Sequence, residues 1–181
     1  MNKVIFLDID GVLNSTKSCE FYHKKYGGNG YGGFFKEDEE PTLENVLWDE
    51  ECVHWLDKIA KETGASIVIS STWRKYYGLL AFHSMFKLYS VFDLDIVGKT
   101  KQKGFIGRGK EIQDYIDENN ITNYVILDDD SDMLPSQMLN FVNTDCDLGL
   151  TKSDYLKAVK ILGSVTKADA KHLLAVRAFL H

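Results

Sequence analysis

Three short apolar segments along the chain each end at a group of polar residues. The segments are residues 4–7, 66–69 and 124–127, and they are rich in the β-branched and aliphatic residues that favour strands. Weaker patterns of the same kind predict short strands at 95–97 and 140–143. Fully apolar strands are typical of a parallel sheet with both faces covered, so we expect such a sheet here.

Helical periodicity fills the stretches between and after these strands. It predicts helices over residues 49–62, 110–119, 152–162 and 166–179. Gly64 is suited to end the first helix, and Thr151 with Asp154 forms a capping pattern at the start of the third. Because strands alternate with helices, the sequence predicts a single α/β domain over residues 1–181 with a mainly parallel sheet.

Residues 15–48 have a different composition from the rest of the chain. A glycine-rich tract at 27–33 is followed by a run of charged residues that ends at Pro41. We interpret this segment as a long loop or a small insertion, because loops of this length in compact domains are either functional or irregular. A surface loop and a lid over a substrate are the two roles that this composition allows.

Composition and charge describe an ordinary globular protein. Hydrophobic residues make up 44% of the chain, charged residues 27%, and the formal net charge is −6, which argues against broad binding to nucleic acids or anionic membranes. Cys19, Cys52 and Cys146 are odd in number and widely spaced, so we expect neither a disulfide framework nor a zinc site. Since no signal peptide or membrane-spanning run is evident, we expect a cytoplasmic protein without an obligate protein partner, and secretion by a signal-free route stays open.

The polar residues after the first strand indicate phosphoryl transfer. Asp8 and Asp10 are two residues apart at a strand end and are followed by Gly11. One carboxylate can attack phosphorus to form an aspartyl-phosphate, while the second protonates the leaving oxygen and later activates water. We therefore predict Asp8 as the nucleophile and Asp10 as the acid and base. Calcium-binding loops share this short pattern, but the residues that follow lack the acids that such a loop requires.

A run of acidic residues after the third main strand provides candidate metal ligands. Two carboxylates approach a phosphate only if a cation screens their charge, and hard oxygen ligands favour Mg²⁺. We predict that Asp8, Asp10 and Asp128 bind Mg²⁺, with Asp129 and Asp132 as further ligands or as residues that orient them. A solvated acidic turn is the alternative, but its crowded charges are unfavourable without a cation.

Hydroxyl and cationic side chains complete the predicted phosphate site. Either Ser70 or Ser71, after the second main strand, can donate a hydroxyl, and Arg74 can hold a phosphate through two hydrogen bonds. Lys110 is the first choice for the cation that neutralises the transferred group, and Arg108 is its close alternative. The carboxyl ends of parallel strands share one edge of a sheet, so a single site is expected there.

Four blocks of residues, in this order, resemble the haloacid dehalogenase (HAD) superfamily. They are DIDGVLN (8–14), SSTWR (70–74), RGKEI (108–112) and DDDSD (128–132). The resemblance implies a Rossmann-like three-layer sandwich and a Mg²⁺-dependent phosphatase with Asp8 as nucleophile and Asp10 as acid and base. It also assigns phosphate binding to the second and third blocks and metal binding to the acids of the fourth. Further stretches, such as ETGASIVISSTWR and FVNTDCDLGLT, resemble HAD domains found alone or attached to RNA-repair proteins.

The spacing of the blocks leaves no room for the large cap domain that many HAD enzymes carry. We expect an open site for a macromolecular phosphoester, either a phosphorylated nucleic-acid end or a phosphoprotein such as one with phosphotyrosine. A small-molecule nucleotide phosphatase and a non-catalytic phosphate-binding or receiver-like module are the alternatives, but receiver domains order their acids and lysine differently along the chain. A local basic run either guides a polynucleotide or is a solvated loop, and it consists of Lys99, Lys101, Lys103, Arg108 and Lys110.

Overall fold

The computed structural model describes residues 3–26, 41–43, 46–102 and 107–163. Its strands are β1 (Lys3–Leu7), β2 (Ser66–Ile69), β3 (Ile96–Lys99), β4 (Asn123–Asp128) and β5 (Phe141–Asn143). Its helices are α1 (Thr16–Tyr26), α2 (Glu50–Thr63), α3 (Leu79–Leu88), α4 (Arg108–Asn119) and α5 (Lys152–Leu162). Short 3₁₀ helices cover Thr72–Lys75 and Pro135–Asn140. All five predicted strands are present.

The strands form one parallel sheet in the order β3-β2-β1-β4-β5. The chain builds one half of the sheet outward from β1 and then crosses to the other side of β1 to add β4 and β5. Ligands of such sheets bind at the carboxyl edge, beside the point where the strand order reverses. That edge carries the residues that follow β1, β2 and β4, which confirms the predicted α/β fold and the convergence of the polar strand ends.

Alternating side chains of the strands bury a hydrophobic layer on each face of the sheet. Ile5 and Leu7 of β1 face a core that also contains buried residues of α2, α3 and α5. Val4 and Phe6 face the opposite way and pack with Ile112 of α4. Each large apolar side chain buried in this way contributes roughly 1.5–3 kcal/mol to stability. Helices therefore cover both faces of the sheet, which is the three-layer arrangement that the resemblance implies. The described residues contain no large cap domain.

Capping residues set the ends of two helices where the sequence predicts them. The Asp49 side chain accepts a hydrogen bond from the Glu51 N–H at the start of α2, and Gly64 ends that helix with φ of 68°. Thr151 and Asp154 form a reciprocal capping box at the start of α5. Such caps each contribute on the order of 1 kcal/mol.

Two helices are absent from the sequence prediction. α1 lies within residues 15–48, which we predicted as a loop or small insertion, and its polar sequence has no regular apolar stripe. α3 is apolar along most of its length, so it has no amphipathic signature to detect. The predicted helix at 166–179 and the glycine-rich tract at 27–33 lie outside the described residues. Among the helices that are described, none is long and apolar enough to cross a membrane.

Candidate active site

Asp8 lies at the centre of the carboxyl edge, directly after β1. Its backbone N–H donates to the Leu127 carbonyl of β4 at 3.0 Å, which fixes the residue beside the end of that strand. The residue is 3% exposed, and its Oδ2 forms an ion pair with the Arg108 Nη1 at 2.5 Å. Its Oδ1 has no hydrogen-bond partner among the described residues, although it is buried. A buried carboxylate oxygen without a partner is costly unless it serves a ligand or a reaction.

Arg108, the first residue of α4, bridges two buried carboxylates. Its Nη1 lies 2.5 Å from Asp8 Oδ2 and 2.6 Å from Asp128 Oδ2. Burial acts to lower the pKa of Arg108, but the two adjacent carboxylates outweigh it and raise the pKa above its ordinary value. The guanidinium is therefore a permanent positive charge at the place where a phosphate would meet Asp8.

Asp132 caps the helix that carries Arg108. The N-cap position of α4 is Gly107, which has no side chain, and the Oδ2 of Asp132 accepts a hydrogen bond from the Arg108 N–H at 2.9 Å instead. An acidic group is favourable at a helix N-terminus because of the helix dipole. Among the described residues, Asp132 is not part of the acidic cluster, and its contact is with the backbone of Arg108 at the start of α4.

Three carboxylates meet beside Arg108. One oxygen each of Asp8, Asp128 and Asp129 lies within 4.8 Å of the other two. Burial and repulsion from Asp8 raise the pKa of Asp128 to about 8, and the same two causes raise the pKa of Asp129. A divalent cation would relieve this repulsion between carboxylates. Mg²⁺ prefers hard oxygen ligands such as these, and the Asp8 Oδ1 has no other partner among the described residues. These three residues are the candidate Mg²⁺ ligands of the described chain.

Gly11 allows Asp129 to approach the first block. Its φ is +68°, and a Cβ atom at this position would lie 2.3 Å from the Asp129 Cγ. Any larger residue would therefore clash with a candidate metal ligand and would also be strained in this conformation. Glycine is therefore needed at position 11 for two reasons: the positive φ of the backbone, and the space that the Asp129 side chain occupies.

Asp10 stands apart from the acidic cluster at the surface. Its Oδ1 accepts a hydrogen bond from Asn14 Nδ2 at 2.8 Å, and its Oδ2 accepts one from Trp73 Nε1 at 2.9 Å. Both carboxylate oxygens are therefore held by neutral donors. Asp10 was also predicted as a metal ligand, but its carboxylate does not join Asp8, Asp128 and Asp129 in the acidic cluster.

The two predicted serines have different environments. Ser70 follows β2 directly, donates its N–H to the Leu7 carbonyl at 2.9 Å, and is fully buried. Its Oγ has no partner among the described residues, whereas the Ser71 Oγ accepts the N–H of Trp73 at 3.3 Å and caps the following 3₁₀ helix. Ser70 is thus the better phosphate-binding candidate, because Ser71 already has a structural role.

Arg74 requires a correction to the sequence prediction. Its side chain is buried, with Nη2 in an ion pair with Glu111 of α4 and Nε donating to the Thr100 carbonyl at 3.1 Å. Its Nη1 donates to the carbonyls of Ser70 and Ser71. Because these acceptors occupy the nitrogen atoms of the guanidinium, Arg74 holds the loop after β2 to α4 and is not available to grip a phosphate.

Lys110 also departs from its predicted role. Its Nζ pairs with Asp114 one turn further along α4 at 2.7 Å, and its side chain is 49% exposed. A helix places residues two positions apart on different faces, so Arg108 and Lys110 cannot both face the site. Arg108, the alternative in the sequence prediction, is the cation beside Asp8.

The side chains of the basic run already have local partners where they are described. Lys99 donates to the carbonyls of Arg74 and Tyr77, and Lys101 pairs with Glu118 at 2.6 Å. Lys103 lies outside the described residues. The run is not one solvated loop, because Lys99 ends β3 and Arg108 and Lys110 belong to α4, and the local contacts do not favour an extended polynucleotide track.

Trp73, Asn14 and Glu111 are site residues that the sequence prediction missed. The sequence presents Trp73 only as one of several aromatic residues near a strand end, and Asn14 only as the last residue of the first block. A usable signal exists for Glu111, because it lies three residues after Arg108 and therefore on the same side of α4. No pattern along the chain indicates that Trp73 reaches Asp10.

Comparison with known proteins gives one match. Residues 4–155 match the family described as "HAD domain in Swiss Army Knife RNA repair proteins". No curated protein and no solved structure matches the chain. The matched residues contain all four sequence blocks and the sheet except Lys3, and HAD domains generally act as phosphoester hydrolases. The chain therefore belongs to the family of HAD domains in Swiss Army Knife RNA repair proteins, as its resemblance predicts.

Proposed function

We propose that this chain is a Mg²⁺-dependent phosphatase that removes a terminal phosphate from RNA through an aspartyl-phosphate on Asp8. One observation carries the proposal: a buried Asp8 carboxylate that is paired with Arg108 at 2.5 Å and lies beside Asp128 and Asp129. Burying like charges together is energetically costly, so this arrangement is not expected in an ordinary surface turn. Family membership supplies the RNA-repair setting.

The first step transfers the phosphoryl group to the protein. An Asp8 oxygen attacks phosphorus, the bond from phosphorus to the leaving oxygen breaks, and protonated Asp10 donates its proton to that oxygen. We assign Arg108 to compensate the negative charge of the phosphoryl oxygens and Ser70, whose buried Oγ has no partner among the described residues, to donate its hydroxyl to them.

The second step regenerates the carboxylate. Asp10 takes a proton from water, the water oxygen attacks phosphorus, and the bond from phosphorus to the Asp8 oxygen breaks. Inorganic phosphate leaves, Asp8 is again a carboxylate, and Asp10 is again protonated. The two steps together consume one water molecule and release one alcohol and one phosphate.

Mg²⁺ is the cofactor that the donor set suits. Asp8, Asp128 and Asp129 would hold it, and when bound it supplies charge neutralisation for the approach of a phosphate to these acids. Asn143 steadies this set, because its Nδ2 donates to the Asp129 carbonyl at 2.8 Å and to the Asp128 carbonyl at 3.2 Å.

An RNA end is the substrate class that the observations favour. The described residues contain no large cap to enclose a small metabolite, and the family occurs in RNA repair proteins. The described lysines of the basic run are occupied locally, so we propose recognition of the phosphorylated end itself and not of a long stretch of backbone.

A substrate panel tests this proposal. Phosphate release is measured with and without Mg²⁺ from 3′-phosphorylated and 5′-phosphorylated RNA oligonucleotides, mononucleotides and a phosphotyrosine peptide. We expect Mg²⁺-dependent release with the highest kcat/KM on one of the RNA ends, and Asp8→Asn to lower it by at least about 10³-fold because the nucleophile is lost.

Asp93→Asn provides the matched control. Asp93 is an exposed acid that precedes β3, so it lies towards the amino edge of the sheet and should leave activity unchanged. Highest activity on the peptide or on mononucleotides would reject the RNA assignment and keep the chemistry. A wild-type protein that is inactive on every substrate with Mg²⁺, or an active Asp8→Asn variant, would reject the chemistry as well.

A further inference from the structure

We propose that Trp73 and Asn14 are positioning residues that hold Asp10 in the orientation required for proton transfer. The inference rests on the proposed function, since it assigns Asp10 as the acid and base. The observation behind it is that each Asp10 oxygen accepts one hydrogen bond, from Trp73 Nε1 at 2.9 Å and from Asn14 Nδ2 at 2.8 Å. An aspartate at the surface would otherwise rotate freely among its rotamers.

The indole of Trp73 is fixed on several sides. The residue is 7% exposed, and its ring lies against the rings of Trp48 and Tyr77 with centroid distances of 6.2 and 5.8 Å. Its backbone N–H donates to the Ser71 Oγ, which ties it to the 3₁₀ helix after β2. The donor that reaches Asp10 therefore comes from a rigid part of the loop after β2.

Asn14 is fixed by the backbone of the first block. The Gly11 N–H donates to Asn14 Oδ1 at 3.1 Å, so the amide nitrogen is the end that faces Asp10. Asn14 is buried, with 7% of its surface exposed. Because each donor comes from a different segment of the chain, the carboxylate is held from two directions.

The neutral donors Trp73 and Asn14 suit the proposed acid and base, Asp10, better than a charged lysine or arginine would. An indole N–H donates only and does not take up a proton at neutral pH, so Trp73 can orient Asp10 without competing for its proton. A carboxylate has about four acceptor positions, and the two hydrogen bonds leave positions open for the transferred proton. A lysine or arginine partner would instead favour the ionised form alone.

The contacts of Trp73 distinguish this role from base stacking. An indole that is 7% exposed, packed between other aromatic rings, does not offer a free face to a nucleotide. A purely structural core role is the competing interpretation, and the experiment is designed to separate the two.

Trp73→Phe tests the inference, because phenylalanine keeps an aromatic ring but lacks the N–H. The measurement is kcat/KM for an aryl phosphate and an alkyl phosphate; this constant reports the steps up to phosphoryl transfer to Asp8. A poor alkyl leaving group needs the Asp10 proton far more than an aryl group does. We expect kcat/KM to fall by about tenfold to a hundredfold on the alkyl substrate and by no more than about threefold on the aryl substrate.

Trp55→Phe is the matched control. The Trp55 indole Nε1 donates to Glu51 on the same helix α2 at 3.2 Å, away from the proposed site, so this variant also loses one indole hydrogen bond. Its ratio of aryl to alkyl kcat/KM should equal that of the wild type. An equal loss on both substrates in Trp73→Phe would show a structural role and overturn the inference.

A measurement without turnover separates this inference from the proposed function. The chain has three tryptophans, and the indole N–H resonance that disappears in Trp73→Phe identifies Trp73 in a nitrogen–proton correlation spectrum. We expect that resonance to shift in Asp10→Ala, while the Trp55 resonance stays in place. An unchanged Trp73 resonance would overturn the inference whether or not the protein is a phosphatase.

Discussion

Arg108→Ala is expected to lower kcat/KM for phosphate release by about 10³-fold or more, as loss of a charge-stabilising arginine does in phosphoryl transfer. The Arg108 guanidinium lies 2.5 Å from Asp8 and 2.6 Å from Asp128, at the point where negative charge develops. Arg108→Lys should restore only part of the activity, because an ammonium group cannot bridge two carboxylates with the same planar geometry.

Lys110→Ala is the matched control for Arg108→Ala, two residues further along α4. The Lys110 side chain is 49% exposed and paired with Asp114, so its removal should change kcat/KM by less than about twofold. Steady-state kinetics on one RNA substrate compares the two variants under identical conditions. A large loss in Lys110→Ala with little loss in Arg108→Ala would reverse the assignment of the cation.

Arg74→Met is expected to destabilise the fold by about 3–5 kcal/mol, because it removes the arginine from a buried ion pair with the Glu111 carboxylate. The two side chains are 5% and 6% exposed, so solvent cannot replace the lost interaction. Three backbone carbonyls, those of Ser70, Ser71 and Thr100, lose a donor in the same variant. Chemical denaturation with a linear extrapolation gives the free energy of unfolding.

Two further variants show whether this loss comes from the buried ion pair. Lys101→Met removes an exposed pair with Glu118, in which the two side chains are 67% and 45% exposed, and should leave the free energy of unfolding nearly unchanged. Arg74→Met combined with Glu111→Leu should recover part of the stability, because both charges of the buried ion pair are then replaced by apolar side chains. If Arg74→Met is as stable as the wild type, Arg74 is not the structural link between β2 and α4 described above.

The general fold could be predicted because its signals are local. Residues 66–69 form a strand with the predicted bounds, and α5 begins at Lys152, directly after its N-cap Thr151, as the capping pattern indicates. Parallel strands place their carboxyl ends at one edge of a sheet, so the sequence alone predicts that Asp8 and Asp128 lie close together. α3 was missed because a nearly uniform apolar sequence has no periodicity to detect.

The roles of individual site residues could not be predicted in the same way. Arg74 and Arg108 both lie near polar strand ends in the sequence. Only the packing of α4 shows that Arg74 pairs with Glu111 and that Arg108 pairs with Asp8. Similarly, the contact between Trp73 and Asp10 joins residues 63 positions apart. A sequence pattern gives the type of group available, whereas these assignments depend on side-chain direction and on competing partners.

Chemical trapping of the intermediate tests the aspartyl-phosphate on Asp8 most directly. The protein is mixed with Mg²⁺ and an aryl phosphate, quenched in acid during turnover, and reduced with borohydride, which converts an acyl phosphate of aspartate to homoserine. Peptide mass spectrometry then locates the modified residue. We predict homoserine at position 8 and none at position 10, with no modification when the substrate is omitted. Modification at another residue, or an active enzyme with no trapped product at Asp8, would contradict the account.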